Sequence, residues 1–189
     1  MKLRLPLLGL FTSLLLLSCD QTETFDDRWQ LDNEAQFVTI SGNSEYQRLA
    51  SHSGNGYIMY KVIEEGDSNG ETPLFTDRVK VLYTGWYKNI WSMPDIYTDD
   101  KGNQIYNKIV FDSTENRNNI PSTFFVNPNA SSGSVFGVID GFSTALQYMH
   151  IGDKWEVWIP WKLGYGESSS GSIPAYTTLV FEIELVDIL

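Results

Sequence analysis

The stretch from 179 to 188 constrains the fold more than any other. Leu179, Phe181, Ile183 and Leu185 alternate there with Val180, Glu182, Glu184 and Val186. A helix cannot use that period, because side chains return to one face of a strand every second residue and to one face of a helix every 3.6. One row must enter a core while the other is largely wet, which predicts an antiparallel sheet covered on one side. The same period recurs at 57–63, 78–87 and 154–159, and in the last of these Trp155, Val157 and Ile159 point opposite to Lys154, Glu156 and Trp158. One segment breaks it. After Val138-Ile-Asp-Gly141, Phe142, Ala145, Leu146 and Met149 recur at helical spacing and stop at His150-Ile-Gly-Asp153. The expected class is α+β, a curled antiparallel sheet wrapped around one short amphipathic helix. At 189 residues the chain suits a single domain with appendages.

The appendage is N-terminal. Lys2 and Arg4 precede a largely apolar run from Leu5 to Leu17 that holds no acid and is shorter than the roughly 20 residues a bilayer-spanning helix needs. It ends in Leu16-Leu-Ser-Cys19, and Cys19 is the only cysteine. This ending resembles a bacterial lipobox, which implies a signal peptide over 1–18, cleavage before Cys19 and lipidation of that cysteine. Two or more acyl chains would anchor the protein stably to a membrane outside the cytoplasm. The acidic stretch Asp20 to Asp27 reads as a solvated tether. Residues 28–50 carry Trp29, Leu31, Ala35, Phe37, Val38 and Ile40, interrupted by Ser41-Gly-Asn43, and are expected to form a helical extension. Together, 19–56 form the lipidated tether and extension, with the main domain at 57–189.

Several chemistries fail on inspection. The formal charge of −11 would repel phosphate backbones, which excludes nucleic acid as a partner. His52 and His150 are the only histidines, too few for a zinc site of the usual kind. The run Asp99-Asp-Lys-Gly-Asn103, with Asp95 nearby, lacks the alternating oxygen ligands of a calcium loop and reads as a hairpin turn. Ser143 in Gly141-Phe-Ser-Thr-Ala145 has a helical-turn setting but no distant base, since His150 closes the same short helix. The segment 164–171 is glycine-rich without the Lys-Ser/Thr ending of a phosphate cradle, and 127–133 reads as a surface loop. What remains is an aromatic excess, 14% of all residues, suited to a pocket for an apolar ligand such as a proline ring.

The order of segments resembles the FK506-binding-protein (FKBP) type of peptidyl-prolyl isomerase over about 57–189. The carriers are Val79-Lys-Val-Leu-Tyr-Thr-Gly85, Val110-Phe-Asp-Ser-Thr114, Val138-Ile-Asp-Gly-Phe142, Gly164-Tyr-Gly166, Ile173-Pro174 and Thr178-Leu-Val-Phe-Glu-Ile-Glu-Leu185. The resemblance implies a proline pocket with Phe142 as floor and Tyr83, Phe111 and Phe181 as walls. Val138 and Ile139 would line the rim, the Ile139 N–H and the Tyr165 hydroxyl would donate to substrate carbonyls, and Ile173 would close one side. Asp112 would be a buried polar residue beside the floor, and Phe124 or Phe125 a further wall. It implies action on proline-containing polypeptides with no cofactor and no metal, and the alternative is a binding or chaperone module that keeps the fold without turnover; a monomer is expected, and the lipobox ending places it in the cell envelope. Amide resonance sets a rotation barrier of about 18–20 kcal/mol. Excluding water destabilises the planar, charge-separated form relative to the twisted one, so a dry cleft accelerates rotation with no nucleophile. The chain departs from compact relatives at 89–107, an insertion bearing Trp91, Met93, Ile96 and Tyr97, expected to pack on the body as a hairpin or to stand over the pocket.

Overall fold

The computed structural model describes residues 24–189, so the expected signal peptide and Cys19 lie outside the described residues. The chain runs through α1 (Phe25–Ser41), β1 (Gln47–Ala50), β2 (Tyr57–Glu64), β3 (Arg78–Lys88), β4 (Ile96–Thr98) and β5 (Gln104–Tyr106). It continues through β6 (Lys108–Ser113), β7 (Ser122–Phe125), β8 (Ser131–Ser132), β9 (Val135–Phe136), α2 (Asp140–Leu146), β10 (Lys154–Ile159) and β11 (Leu179–Ile188). Seven strands form the main sheet in the order β1-β2-β10-β11-β3-β6, with β7 also pairing β3. All these pairings are antiparallel. The long β3 serves two partners in turn, β7 along 78–81 and β6 along 84–88, with a register shift between Gly85 and Trp86. That irregularity lets the sheet curl, since a bulge sharpens the local twist.

The strand period has the expected consequence on the inner face. Val79, Val81, Tyr83 and Tyr87 of β3, Trp155, Val157 and Ile159 of β10, and Leu179, Phe181, Ile183 and Leu185 of β11 are buried in one cluster with Phe142, Ala145, Leu146 and Met149. The helix lies very close to β10: a Cβ on Gly141 would sit 2.4 Å from Ile159 Cγ2. Only a residue without a side chain allows that approach, which fixes where the N-terminal end of α2 meets the sheet.

The outer face is less wet than the period alone suggests. Helix α1 lies across it, and Phe37 and Ile40 bury Met59, Trp158 and Val180 in a second cluster. Residues 25–27, expected in a solvated tether, are helical instead, because Thr24 caps the helix: its Oγ1 accepts from the Asp27 N–H at 3.2 Å, while Asp27 Oδ2 accepts from the Thr24 N–H at 3.1 Å. Such a reciprocal box satisfies two donors that a helix start otherwise leaves unpaired. Helix α1 ends at Ser41, at the Ser-Gly-Asn interruption, and residues 47–50 are not helical. They extend as β1 against β2, from Gln47 opposite Tyr60 to Ala50 opposite Tyr57. Within 127–133, two residues pair as β8 with β9.

The insertion takes the packed arrangement. Its β4–β5 hairpin turns through Asp99–Asn103, and Trp91 packs on Trp86 and Trp158 at ring separations of 6.2 and 5.4 Å. Buried Asn107 ties down its base, donating through Nδ2 to the carbonyls of Ile90 at 2.8 Å and Pro94 at 2.9 Å. Ile96 remains exposed.

Candidate active site

Between α2 and the concave end of the sheet lies a cleft of about 210 Å³. Its lining comprises Tyr83, Phe111, Asp112, Phe124, Gly137, Val138, Ile139, Phe142, Tyr165 and Phe181. Strand alternation sends Tyr83 (β3), Phe111 (β6) and Phe181 (β11) inward, the first turn of α2 supplies Phe142, and the segment leading into it supplies Val138 and Ile139. The rings meet edge to face: Phe142–Phe181 at 5.2 Å and 86°, Tyr83–Phe142 at 5.9 Å and 89°, Phe111–Phe181 at 5.5 Å and 82°. This geometry sets positive ring edges against negative faces and holds each ring in one orientation. The walls thus stand around open space and do not close on one another.

Nine of the ten residues expected at the pocket line it. Of the two phenylalanines considered for the additional wall, Phe124 occupies it, while the Phe125 carbonyl accepts from the Val138 N–H at 3.3 Å. Ile173 is the exception, 4% exposed within the main core and outside the cleft lining. Asp112 requires a correction. Its side chain is 42% exposed, not buried, and it is ion-paired with Arg117 at 2.9 Å.

Arg117 is the functional-site residue that sequence reasoning missed. It comes from the 3₁₀ turn Glu115–Arg117, and its guanidinium bridges Asp112 Oδ1 at 2.9 Å, the Tyr83 hydroxyl at 3.2 Å and Ser122 Oγ at 3.1 Å. The Tyr83 hydroxyl in turn donates to Asp112 Oδ2. The only signal was an arginine five residues beyond Asp112 in a polar stretch. Gly85 was a second omission: a Cβ there would lie 2.6 Å from Phe111 Cζ and 2.6 Å from Phe181 Cε1, so its hydrogen leaves the room those two walls occupy.

Burial first, and the Asp112 hydrogen bond second, push the Tyr83 phenol up to about 12 against the opposing effect of Arg117. Partial burial and the Asp112 charge also raise Tyr165. Both hydroxyls are therefore protonated donors at neutral pH. Tyr83 spends its proton on Asp112, whereas the Tyr165 hydroxyl and the Ile139 N–H make no hydrogen bond to the described residues. The site thus offers apolar walls, a fixed polar edge and two donors at its rim. No group of three or more His, Cys, Asp or Glu side chains able to hold a metal ion occurs among the described residues.

Residues 70–186 match the family model described as FKBP-type peptidyl-prolyl cis-trans isomerase. The FKBP-type 22 kDa peptidyl-prolyl cis-trans isomerase of Escherichia coli is 39% identical over 133 residues, 70% of this chain and 50% of its own length. FK506-binding protein 1 of Aspergillus oryzae is 33% identical over 131 residues, 69% of this chain and 97% of its own. The crystal structure of FkpA from Escherichia coli matches with a TM-score of 0.59 at 26% identity, covering 86% of this chain and 60% of that one. The chain spans about half the length of the E. coli 22 kDa relative, and residues 70–186, which match the family model, include every cleft residue named above.

Proposed function

The chain belongs to the FKBP-type peptidyl-prolyl cis-trans isomerase family, and on that premise we propose that it accelerates rotation about X-Pro bonds in exported polypeptides. One observation carries the proposal: an open, aromatic-walled cleft whose rim presents two unengaged donors, the Tyr165 hydroxyl and the Ile139 N–H. A pyrrolidine ring enters between Tyr83, Phe111 and Phe181 and rests on Phe142. Those walls strip water from the imide, which removes the solvation that favours its planar form, and the two donors grip the flanking carbonyls. The bound chain can then twist while held, so the site fits the rotated state better than either planar one. Phe124 and Val138 complete the walls. The ion pair to Arg117 and the Tyr83 hydroxyl hold Asp112 at the cleft edge, a fixed dipole that need not reorient as the bond turns.

The working domain in this proposal is 57–189, with the 89–107 insertion as an addition to its body, and it acts as a monomer. Ile173, buried in the main core, anchors the β10–β11 loop that also carries Tyr165. Signal cleavage before Cys19 and acylation of that residue tether the enzyme to a membrane facing the extracytoplasmic space, where uncatalysed X-Pro exchange, taking tens to hundreds of seconds, limits folding. A protease-coupled assay on a short X-Pro peptide tests the activity: a rate rising linearly with enzyme and reduced in Asp112→Ala is expected, and a rate equal to buffer would leave only the non-catalytic binding module. Mass spectrometry of the mature N-terminus tests the anchor. An acylated Cys19 is expected, and an unmodified one would refute it.

A further inference from the structure

The loop between β10 and β11 carries Tyr165 and Ile173, yet it contains little regular structure of its own. Helix α1, which contributes nothing to the cleft lining, holds it at four points. Trp29 Nε1 donates to the Ala175 carbonyl at 3.0 Å and to Thr177 Oγ1 at 3.2 Å. Asn33 Oδ1 accepts from the Thr178 N–H at 2.9 Å, and Glu34 Oε1 accepts from Trp161 Nε1 at 3.0 Å. The Trp29 ring also meets Tyr87 edge-on at 6.0 Å. Tyr87 in turn stacks on the cleft wall Phe111 at 6.4 Å and donates its hydroxyl to the Ser172 carbonyl at 2.8 Å.

We propose that α1 is a clamp on the substrate-binding loop, with Trp29 and Tyr87 as positioning residues that set where Tyr165 stands over the cleft. Two features argue that the loop needs an external hold. Tyr176 adopts φ 58°, a left-handed conformation that costs an aromatic residue energy and persists only where neighbours enforce it. Its N–H donates to the Gly166 carbonyl at 2.9 Å, so Tyr176 fixes the residue next to Tyr165. In addition, a cleft of about 410 Å³ lies between Trp29 and Glu167, Ser169 and Pro174, so that side of the loop does not pack directly on α1. Ile173 anchors the middle of the loop in the main core, and the directed bonds to α1 add a hold on its two ends, at Trp161 and at 175–178. An N-terminal segment outside the isomerase core thereby tunes the grip on the chain flanking proline.

This inference rests on the isomerase reading, and its test separates the two. Trp29→Phe keeps an aromatic ring, smaller than the indole, and loses both Nε1 bonds; Tyr87→Phe keeps the stack and loses the bond to Ser172. Ile40→Val loosens the same helix at the far cluster with Met59 and Trp158, away from the loop. Peptide assays and native-state hydrogen exchange are run on all three and on the wild-type protein. Trp29→Phe and Tyr87→Phe are each expected to raise KM about tenfold with kcat retained, since Tyr165 grips the flanking chain in ground and twisted states alike. The 166 and 176 amides should lose protection in those two variants and keep it in Ile40→Val. Equal KM and equal loop protection across the three variants, or a loss confined to kcat, would overturn the clamp while an active wild type upholds the isomerase. An inactive wild type whose loop amides still loosen in Trp29→Phe would sink the isomerase reading and keep the clamp.

Discussion

Gly85→Ala probes how closely the cleft walls are fitted. The added Cβ would lie 2.6 Å from Phe111 Cζ and from Phe181 Cε1, whereas carbon atoms in contact prefer about 3.5–4.0 Å. Each ring must therefore retreat by roughly 1 Å, or β3 must shift by as much. Overpacking of this kind costs about 1–3 kcal/mol, partly offset by the roughly 0.5–1 kcal/mol that alanine gains over glycine inside a strand. The net loss is at most about 2.5 kcal/mol, a fall in Tm of no more than about 10 °C. Activity should suffer more than stability. Both displaced rings border the cleft, and a 1 Å misplacement at a reacting centre can cost about a hundredfold in rate. The assay is kcat/KM on an X-Pro peptide well below Tm, with Val81→Ala as control: Val81 is fully buried on the same strand and does not line the cleft. The expected result is a loss of about 10- to 100-fold for Gly85→Ala and little change for Val81→Ala. Wild-type kcat/KM in a folded Gly85→Ala protein would refute the assignment of Phe111 and Phe181 as the walls that matter.

Asn33→Ala removes the acceptor of the Trp91 Nε1 and Thr178 N–H donors at 3.1 and 2.9 Å. Stranding them should cost about 2–4 kcal/mol, read as a urea midpoint lowered by about 1–2 M; a shift too small to measure would contradict the network. Phe142→Ala removes a ring that is 2% exposed and edge-on to Tyr83 and Phe181. Its truncation should lower stability by about 3–5 kcal/mol along with turnover, so calorimetry must accompany the assay. Tyr83 is pushed up to about 12 from 10.0, and so is Tyr46, by partial burial and by its hydroxyl's hydrogen bond to Glu156 Oε1 at 2.5 Å. The unfolded chain releases these protons near pH 10 and the native protein near 12, so their contribution is complete below pH 10 and lost as pH rises towards 12. Denaturant midpoints across that window should fall, and less steeply in Tyr83→Phe; parallel curves would show that Tyr83 is not perturbed.

Some features needed the folded chain to be seen. Arg117 and Asp112 lie close in sequence, but their joint contact with Tyr83 depends on β6 pairing with β3 and on a 3₁₀ turn no periodicity announces. The buried stripe of α1 runs Trp29, Asn33, Phe37, Ile40, while Leu31 and Val38 face outward. A polar Asn33 inside the stripe and apolar residues outside it blur the amphipathic signal. Asn33 is buried because Trp91 and Thr178 use its amide, a reason located 58 and 145 residues away along the chain. Asp112 illustrates the same limit, since nothing local could tell a buried carboxylate from a half-exposed one neutralised by a neighbour.

Side-chain period and residue type are local properties, so the four main strands, the helix bearing Phe142 and the aromatic character of the cleft were readable along the chain. Distances between segments remote in sequence are not local. The gap at Gly85 that admits two rings, the charge network at the cleft edge and the hold of α1 on the loop of Tyr165 arise only when the sheet curls and brings their members within contact range.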